Sequence, residues 1–210
     1  MNILFRTVVG AHIWKMEHSG SDLDLFEVFQ VPTLDLLAGT ANTKSTFDAK
    51  KEANTDLARH ELETVVQQLL RGNVNFTFGI MSPIVQQTSN VHIDLINLIL
   101  NHPYKNLYHS IRGMAVHNYK LYEKEGKLEN PKKVNGILRV LDLGTIYLLT
   151  GDLHFKPHTN GHRSEIEPAI ARLDEAYEAS TLEEKIPEDL LRGILVRARL
   201  EDLDNRGDSL

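Results

Sequence analysis

Hydrophobic residues in the first quarter of the chain cluster as they do in β-strands. Residues 2–9 form a mostly apolar run that predicts a first strand, and residues 22–31 predict a second, which ends at Pro32. Between the two runs, the segment that begins at Gly10 predicts a turn into a short helix. Residues 39–54 are rich in polar and small side chains, so we expect a loop flanking a third strand.

From residue 60 the apolar spacing changes to the three- and four-residue repeat of helices. The first helix is expected to begin at His60 and to end near Gly72. Further helices are predicted over residues 91–100, 104–123 and 134–148, the last of which Gly151 should end, and from Ser164 and Thr181, where capping-box patterns occur. The sequence therefore predicts an α+β fold, with an N-terminal mixed-sheet lobe over residues 1–83 and an all-helical lobe over residues 84–210.

Charge and composition narrow the range of functions. Acidic residues outnumber basic ones, and the net charge is −6, so any contact with nucleic acid should be local and salt-sensitive. The chain has no cysteine, which excludes disulfides, thiolate metal sites and cysteine nucleophiles. No apolar segment approaches the roughly 18 residues needed to span a bilayer, and residues 1–9 are too short and mixed for a signal peptide. We expect a cytoplasmic protein without a membrane partner.

Two carboxylates on the second predicted strand are the first candidates for chemistry. Asp22 and Asp24 are two residues apart, so they project from one face of the strand, roughly 7 Å apart at their Cα atoms. Hard carboxylate oxygens, with no cysteine nearby, suit Mg²⁺ or Mn²⁺ better than Zn²⁺. Two acids on a strand face also occur by chance, so their surroundings must decide.

The surroundings match a known signature. The segment from Gly10 to Phe29 resembles the nucleotide-binding signature of the DNA polymerase β-like nucleotidyltransferase superfamily, in which Gly-Ser precedes a helical turn and Ser-Asp-x-Asp lies on the next strand. It is most similar to a branch of predicted nucleotidyltransferases with Gly-Ser-His followed by Ser-Asp-Leu-Asp. The matching positions are Gly10, His12, Ser21, Asp22, Leu23 and Asp24. Ala11 stands where the branch has serine, and Lys15 replaces a usual glycine.

The resemblance implies a nucleotidyltransferase lobe followed by a helical lobe. The implied reaction moves a nucleoside monophosphate from a nucleoside triphosphate to an acceptor hydroxyl and releases pyrophosphate, with Mg²⁺ or Mn²⁺ as cofactor. The acceptor could be an RNA end, a protein or a small molecule. A non-catalytic nucleotide-sensing or protein-interaction module is the alternative, favoured by the departures at Ala11, Lys15 and Gly136, where the branch has histidine.

Members of the superfamily use a third carboxylate on a neighbouring strand. The line-up with the branch indicates Asp56, which would complete a catalytic and metal-binding set with Asp22 and Asp24. Asp56 could instead cap the N-terminus of a helix, a role that aspartate fills well. Glu61, expected in the first helical turn, is the other candidate for the third carboxylate.

The resemblance also implies phosphate contacts. Gly10 would let the backbone approach the phosphates, with the N–H groups of Ala11 and His12 as donors and Ser21 as a hydroxyl contact. Gly10 could simply serve a turn, and His12 could cap the helix. In the helical lobe, Lys133 and Arg139 match a Lys and an Arg of the branch and are candidate triphosphate contacts, although a solvated helix face would also explain basic residues there.

Three histidines have a spacing that invites a metal site. His154, His158 and His162 are four residues apart, but Pro157 and Gly161 between them prevent a continuous helix that would align the imidazoles. We therefore expect no zinc site in this segment.

Overall fold

The computed structural model describes residues 2–50 and 54–207, which form two compact units. The sheet unit comprises the described residues of Met1–Arg71, Asn75–Asn101 and Ile186–Leu210, and the helical unit comprises Gly72–Val74 and His102–Lys185. The predicted α+β class, with a mixed sheet and a helical region, is confirmed. The boundary predicted after Pro83 does not coincide with this division, because two helices beyond it belong to the sheet unit.

The sheet has five strands in the order β3-β4-β2-β1-β5. Its strands are β1 (Asn2–Val8), β2 (Leu23–Gln30), β3 (Thr46–Lys50), β4 (Thr55–Glu61) and β5 (Val85–Gln87). The central pair, β2 and β4, is parallel, whereas the other neighbouring pairs are antiparallel. The three strands expected from the sequence are present, but β4 and β5 were not predicted.

Strand β4 escaped prediction because its sequence mixes polar and apolar residues. The helix expected from His60 begins at Leu62 instead, and the residues before it extend the sheet. Asp56 therefore lies within a strand, so the interpretation of Asp56 as a helix cap is wrong. The cap of that helix is Glu61, whose carboxylate accepts a hydrogen bond from the backbone N–H of Glu63 at 2.7 Å.

Helices and strands of the sheet unit share one apolar core. Its helices are α1 (Thr33–Leu37), α2 (Leu62–Leu70), α3 (Val74–Ile80), α4 (Asn90–Asn101) and α8 (Glu188–Gly207). The first residue of α3, Val74, is grouped with the helical unit. A short 3-10 helix, Gly10–Trp14, connects β1 to β2. Phe5, Val28, Leu62 and Leu95 are fully buried, as expected for a sheet covered by helices. Helix α8 packs on α2 and α4, so the end of the described chain closes this unit.

The helix expected from Thr181 begins only at Glu188, directly after Pro187. Proline is favoured at or just before the first helical position because it has no N–H to donate, which explains the later start. The prediction at Thr181 was therefore wrong by almost two turns.

The helical unit contains α5 (Leu107–Lys124), α6 (Pro131–Thr150) and α7 (Ile166–Ala179), preceded by the 3-10 helix Arg163–Glu165. Gly151 ends α6 with a left-handed φ of 80°, as predicted. Tyr104 and Tyr147 are fully buried here, and the Tyr147 hydroxyl accepts from the Tyr104 N–H at 2.8 Å and donates to the Tyr104 carbonyl at 3.1 Å. Among the described residues, no helix combines the length and apolarity that a membrane span requires.

Candidate active site

The parallel pairing of β2 and β4 brings two of the predicted aspartates together. Asp24 is directly opposite Asp56 in the register, and neighbouring strands lie only about 4.8 Å apart. Asp22 comes immediately before β2. The next pair in register, Leu25 and Leu57, has the opposite side-chain direction and is buried in a cluster with Val8 and Leu23. One face of the two strands thus carries the aspartates, while the other anchors them to the core.

The two neighbouring aspartates act on the ionisation of Asp24. The pKa of Asp24 is raised, first because the carboxyl is partly buried and then because the charges of Asp56 and Asp22 repel its ionised form. The His12 imidazole acts in the opposite direction. Gathering like charges around a half-buried carboxyl is costly for the fold, and such perturbed groups concentrate at functional sites.

Glu61, the other candidate for the third carboxylate, lies at the far end of β4. It is fully buried, and Arg199 of α8 donates to its Oε1 at 2.6 Å. Together with the helix-capping bond from Glu63, this ion pair engages both carboxylate oxygens. Its arrangement indicates a structural carboxylate, and Asp56 is the residue beside Asp24.

Gly10 is required at its position for two reasons. Its φ of 66° lies in the left-handed region, which favours glycine. A Cβ atom there would lie 1.8 Å from Oδ2 of Asp24, so any side chain would collide with the carboxylate. The backbone N–H of Val9 also donates to the Asp24 carbonyl at 2.8 Å. The 3-10 helix therefore begins in direct contact with the aspartate cluster.

Within that 3-10 helix, His12 has an unusual environment. Its Nδ1 atom is buried and has no hydrogen-bond partner among the residues that the structure describes. A buried polar atom without a partner costs free energy, so it needs an explanation. Ala11 is half-buried in the same turn, and the first N–H groups of any helix have no partner within that helix.

The loop before β2 is organised by its own polar groups. The Ser21 Oγ accepts from the backbone N–H of His18 at 2.9 Å, so Ser21 has a structural role that its predicted phosphate contact did not include. Asn54, with φ of 47°, ties this loop to β4: its carbonyl accepts from Leu23 N–H at 2.9 Å, and its side chain donates to the Ser21 carbonyl at 3.1 Å.

Lys15 occupies the position where the resembling branch has glycine. Its φ is 53°, at the C-terminal cap of the 3-10 helix. Glycine is the usual residue in that conformation, so the lysine preserves the backbone shape at a cost in strain. The departure at Lys15 therefore leaves the geometry of the turn intact.

The aspartate cluster fits a hard divalent cation by its chemistry. It offers carboxylate oxygens only, the donors that Mg²⁺ and Mn²⁺ prefer, and a cation would relieve the repulsion that raises the pKa of Asp24. Over residues 2–50 and 54–207, no three His, Asp or Glu side chains are already drawn together as a ligand set. The roles of Asp22, Asp24 and Asp56 as metal ligands stay a prediction.

Lys133 and Arg139, the predicted triphosphate contacts, lie on α6 in the helical unit. The Lys133 ammonium lies 4.8 Å from the centre of the Tyr122 ring, a cation–π contact. Arg139 is half-buried, and burial lowers its pKa. A Cβ atom on Gly136 would meet open space, so the histidine of the resembling branch would fit there. The triphosphate roles of both cations stay predictions.

One buried charge system was not found from the sequence. On the opposite face of β2 from Asp24, the fully buried Glu27 is paired with Arg6 of β1 and with Arg59 of β4, whose Nε lies 2.9 Å from its Oε1. Arg59 also contacts Asp48 of β3 at 2.7 Å. A single acid within the apolar run Leu25-Phe26-Glu27-Val28-Phe29 was the available signal.

The three histidines of the loop after α6 have separate roles. His158 donates through Nδ1 to Asp142 Oδ2 at 2.7 Å, and His154 and His158 both line a cavity beside α6. His162 instead caps the 3-10 helix that precedes α7. Among the described residues, no set of three potential metal ligands includes these histidines.

Three comparisons relate the chain to known proteins. The chain is 35% identical over 97 residues to an uncharacterized protein of Methanocaldococcus jannaschii, a match that covers 46% of this chain and 40% of that relative's length. A solved nucleotidyltransferase-like protein from Exiguobacterium sibiricum 255-15 superimposes with a TM-score of 0.34 and 9% identity, over 85% of this chain and 69% of that one. That superposition is too poor to carry an argument. Residues 1–203 match the RlaP family, and the chain therefore belongs to the RNA repair pathway DNA polymerase beta family.

Proposed function

We propose that this protein is a metal-dependent nucleotidyltransferase. It would move a nucleoside monophosphate from a nucleoside triphosphate to an acceptor hydroxyl and release pyrophosphate. The observation that carries the proposal is the register of β2 and β4, which sets Asp24 beside Asp56 with Asp22 close enough to repel it. Like charges gathered around a half-buried carboxyl are typical of functional sites.

Each residue of the cluster has a proposed role. Asp22 and Asp24 would hold Mg²⁺ or Mn²⁺, and Asp56 would complete the ligand set and accept the proton of the attacking hydroxyl. When bound, the metal ions would supply charge stabilisation to the attacking and leaving oxygens. The protein itself contributes positioning and electrostatics, which dominate catalysis of phosphoryl transfer.

The 3-10 helix would hold the phosphates. Gly10 leaves room beside the Asp24 carboxylate that no other residue could leave. The N–H groups of Ala11 and His12 lie in the first turn of this helix, where backbone donors have no partner within the helix. The buried His12 Nδ1, which has no partner among the described residues, would gain one from a phosphate oxygen or a bound water.

We propose an RNA end as the acceptor, because the family is described by an RNA repair pathway. The net charge of −6 suits a short contact with a strand end better than a long footprint. Proteins and small molecules are the competing acceptors, and the experiment below separates them.

Label transfer tests the proposal directly. The full chain is incubated with each α-labelled nucleoside triphosphate, Mg²⁺ or Mn²⁺, and either short RNA, a protein mixture or a metabolite mixture. We expect metal-dependent label on RNA that disappears in Asp24→Asn. Asp48→Asn is the matched control, since it also removes a carboxylate from the sheet but leaves the cluster intact. Label on protein or metabolite alone would refute the RNA acceptor, and no transfer to any acceptor would refute the enzyme.

A second candidate function is a nucleotide-sensing module that binds without transfer. Two departures favour it: Ala11 cannot provide the hydroxyl of the family's serine, and Gly136 leaves open the space of the branch's histidine. Saturable nucleotide binding in the same assay without label transfer would support this function.

A further inference from the structure

The helical unit has a cavity of its own, and its lining includes Arg139, which the sequence alone assigned to a triphosphate. It has a volume of about 270 Å³ and lies between α6 and the irregular segment that follows it. Its polar lining consists of Arg139, Asp142 and Thr145 of α6 with His154, Lys156 and His158 of the segment. This volume is close to the lower end of the range for small-ligand sites.

The cavity is lined mainly by positive charge, whereas the chain as a whole is acidic. Arg139 and Lys156 are cationic, and two imidazoles add further nitrogen donors. The single carboxylate, Asp142, is already engaged by His158 at 2.7 Å. An anion entering the cavity would therefore meet more positive than negative charge, although the whole chain carries a net charge of −6.

The wall opposite α6 is held in place by specific contacts rather than by regular secondary structure. The buried Asn135 accepts from the Gly161 N–H at 2.8 Å, and the His158–Asp142 pair makes a second tie to α6. A Cβ atom on Gly161 would lie 2.4 Å from the Leu138 side chain, so only glycine permits this close approach. The cavity is thus pre-organised, which lowers the entropic cost of binding a ligand.

The rest of the lining indicates what the anion is attached to. Leu143, Ile146 and Pro157 give the cavity an apolar side next to its cations. Arginine and lysine together are typical of phosphate recognition, because the guanidinium can bind two oxygens and the ammonium adds a point charge. An apolar surface beside them suits the body of an organic phosphate better than a bare inorganic ion.

We propose that this cavity binds a phosphate monoester of nucleotide type, with Arg139, Lys156 and His154 contacting the phosphate. His158 acts as a positioning residue that holds the loop through Asp142. The phosphate can come from a free nucleotide or from the 5′ end of an RNA strand. The assignment goes beyond the proposed transfer reaction and does not depend on it.

The test is an NMR titration of the metal-free full chain with adenosine monophosphate, observed at the histidine side chains. Saturable shifts are expected at the imidazoles of His154 and His158, and adenosine should bind at least about tenfold more weakly because it lacks the phosphate. Lys156→Ala should weaken binding of the monophosphate by about tenfold, which corresponds to about 1.4 kcal/mol.

Lys132→Ala is the matched control, since it removes an exposed lysine from the start of α6 that does not line the cavity. It should change the affinity less than twofold. Lys156 is exposed, so its replacement should leave the fold intact, which a thermal melt verifies. The proposal is wrong if neither imidazole shifts, if adenosine binds as well as its monophosphate, or if Lys132→Ala has the same effect as Lys156→Ala.

A third arm distinguishes the two sources of the phosphate. A 5′-phosphorylated trinucleotide that binds at least about tenfold more tightly than the monophosphate, in a manner lost with Lys156→Ala, assigns the cavity to RNA ends. Equal or weaker binding assigns it to free nucleotides. Because no metal or transfer is involved, failure here leaves the label-transfer result untouched, and failure of label transfer leaves this result untouched.

Discussion

Strand β2 carries two acidic systems that are three residues apart and differ in how their charge is balanced. Glu27 is fully buried, and arginines of the two neighbouring strands neutralise it. Asp24, on the opposite face, has two further aspartates as neighbours and a raised pKa. The same strands therefore hold one carboxylate that the protein's own arginines neutralise and one that needs a positive charge from outside the protein.

The difference shows which carboxylates serve the fold. A buried charge with hydrogen-bonded partners contributes to a unique structure, and its loss leaves the partners uncompensated. A group of like charges destabilises the fold on its own, so it needs a counter-ion from outside. Glu61, paired with Arg199, belongs to the first class although it was a candidate for the second.

The largest expected effect concerns Asp56. Asp56→Asn should lower the rate of nucleotide transfer by at least about 1,000-fold, because it removes both a metal ligand and the proposed base. Its melting temperature should not fall, since the change relieves repulsion on Asp24. Glu61→Gln, measured in the same label-transfer and melting assays, should instead lose stability and keep activity in the folded fraction. The reverse ranking would return the catalytic role to Glu61.

The next largest effect concerns Glu27, whose charge is neutralised by two arginines. Glu27→Gln should lower the free energy of unfolding by about 3 kcal/mol, because it leaves Arg6 and Arg59 without the carboxylate that they share. Denaturant titration measures the change. Asp48→Asn serves as control and should cost less than about 1 kcal/mol, since 45% of the Asp48 side chain is exposed to solvent. Equal losses in the two variants would mean that burial does not distinguish them.

A third effect concerns phosphate binding beside the aspartate cluster around Asp24. Ala11→Ser restores the hydroxyl that the family has, and one hydrogen bond to a charged group contributes about 1.5–3 kcal/mol. Nucleoside triphosphate binding, measured by calorimetry with Mn²⁺, should tighten by roughly 10- to 100-fold, while Mn²⁺ affinity alone stays unchanged. A variant that binds the triphosphate no better would show that another group already makes this contact.

The smallest effect is one of stability against pH. Because the folded-state pKa of Asp24 is raised, its contribution is most favourable below the unfolded pKa of about 3.9 and is lost as the pH rises through the folded value. Asp24→Asn should therefore raise the free energy of unfolding at pH 7 by about 1 kcal/mol or less, given its partial exposure. The melting temperature should rise accordingly at pH 7, and by progressively less towards pH 4. Scanning fluorimetry across that range measures it, and a gain that persists unchanged at pH 4 would contradict the electrostatic cause.

Mn²⁺ provides the companion measurement to the pH series. It should stabilise the unaltered protein at pH 7 more than it stabilises Asp24→Asn, because a ligand that binds only the folded state raises stability. Equal stabilisation of both proteins would place the ion elsewhere.

The sequence by itself determined the parts of this protein that are written in local patterns. Gly10, Asp22 and Asp24 were recognisable because they belong to a short motif of neighbouring residues that resembles a family signature, and strand alternation placed the two aspartates on one face. The helices from α4 to α6 followed from their apolar spacing, and the left-handed Gly151 was expected at the end of α6.

Only the tertiary structure decided what depends on pairing between distant segments. The parallel register of β2 and β4 set Asp56 beside Asp24. Glu61 lies at the other end of β4, where it forms an ion pair with Arg199, more than 130 residues away along the chain. Likewise, Arg6 and Arg59 meet Glu27 only across three strands. A strand whose residues are half polar gives a weak local signal, because its burial is created by the neighbours it pairs with.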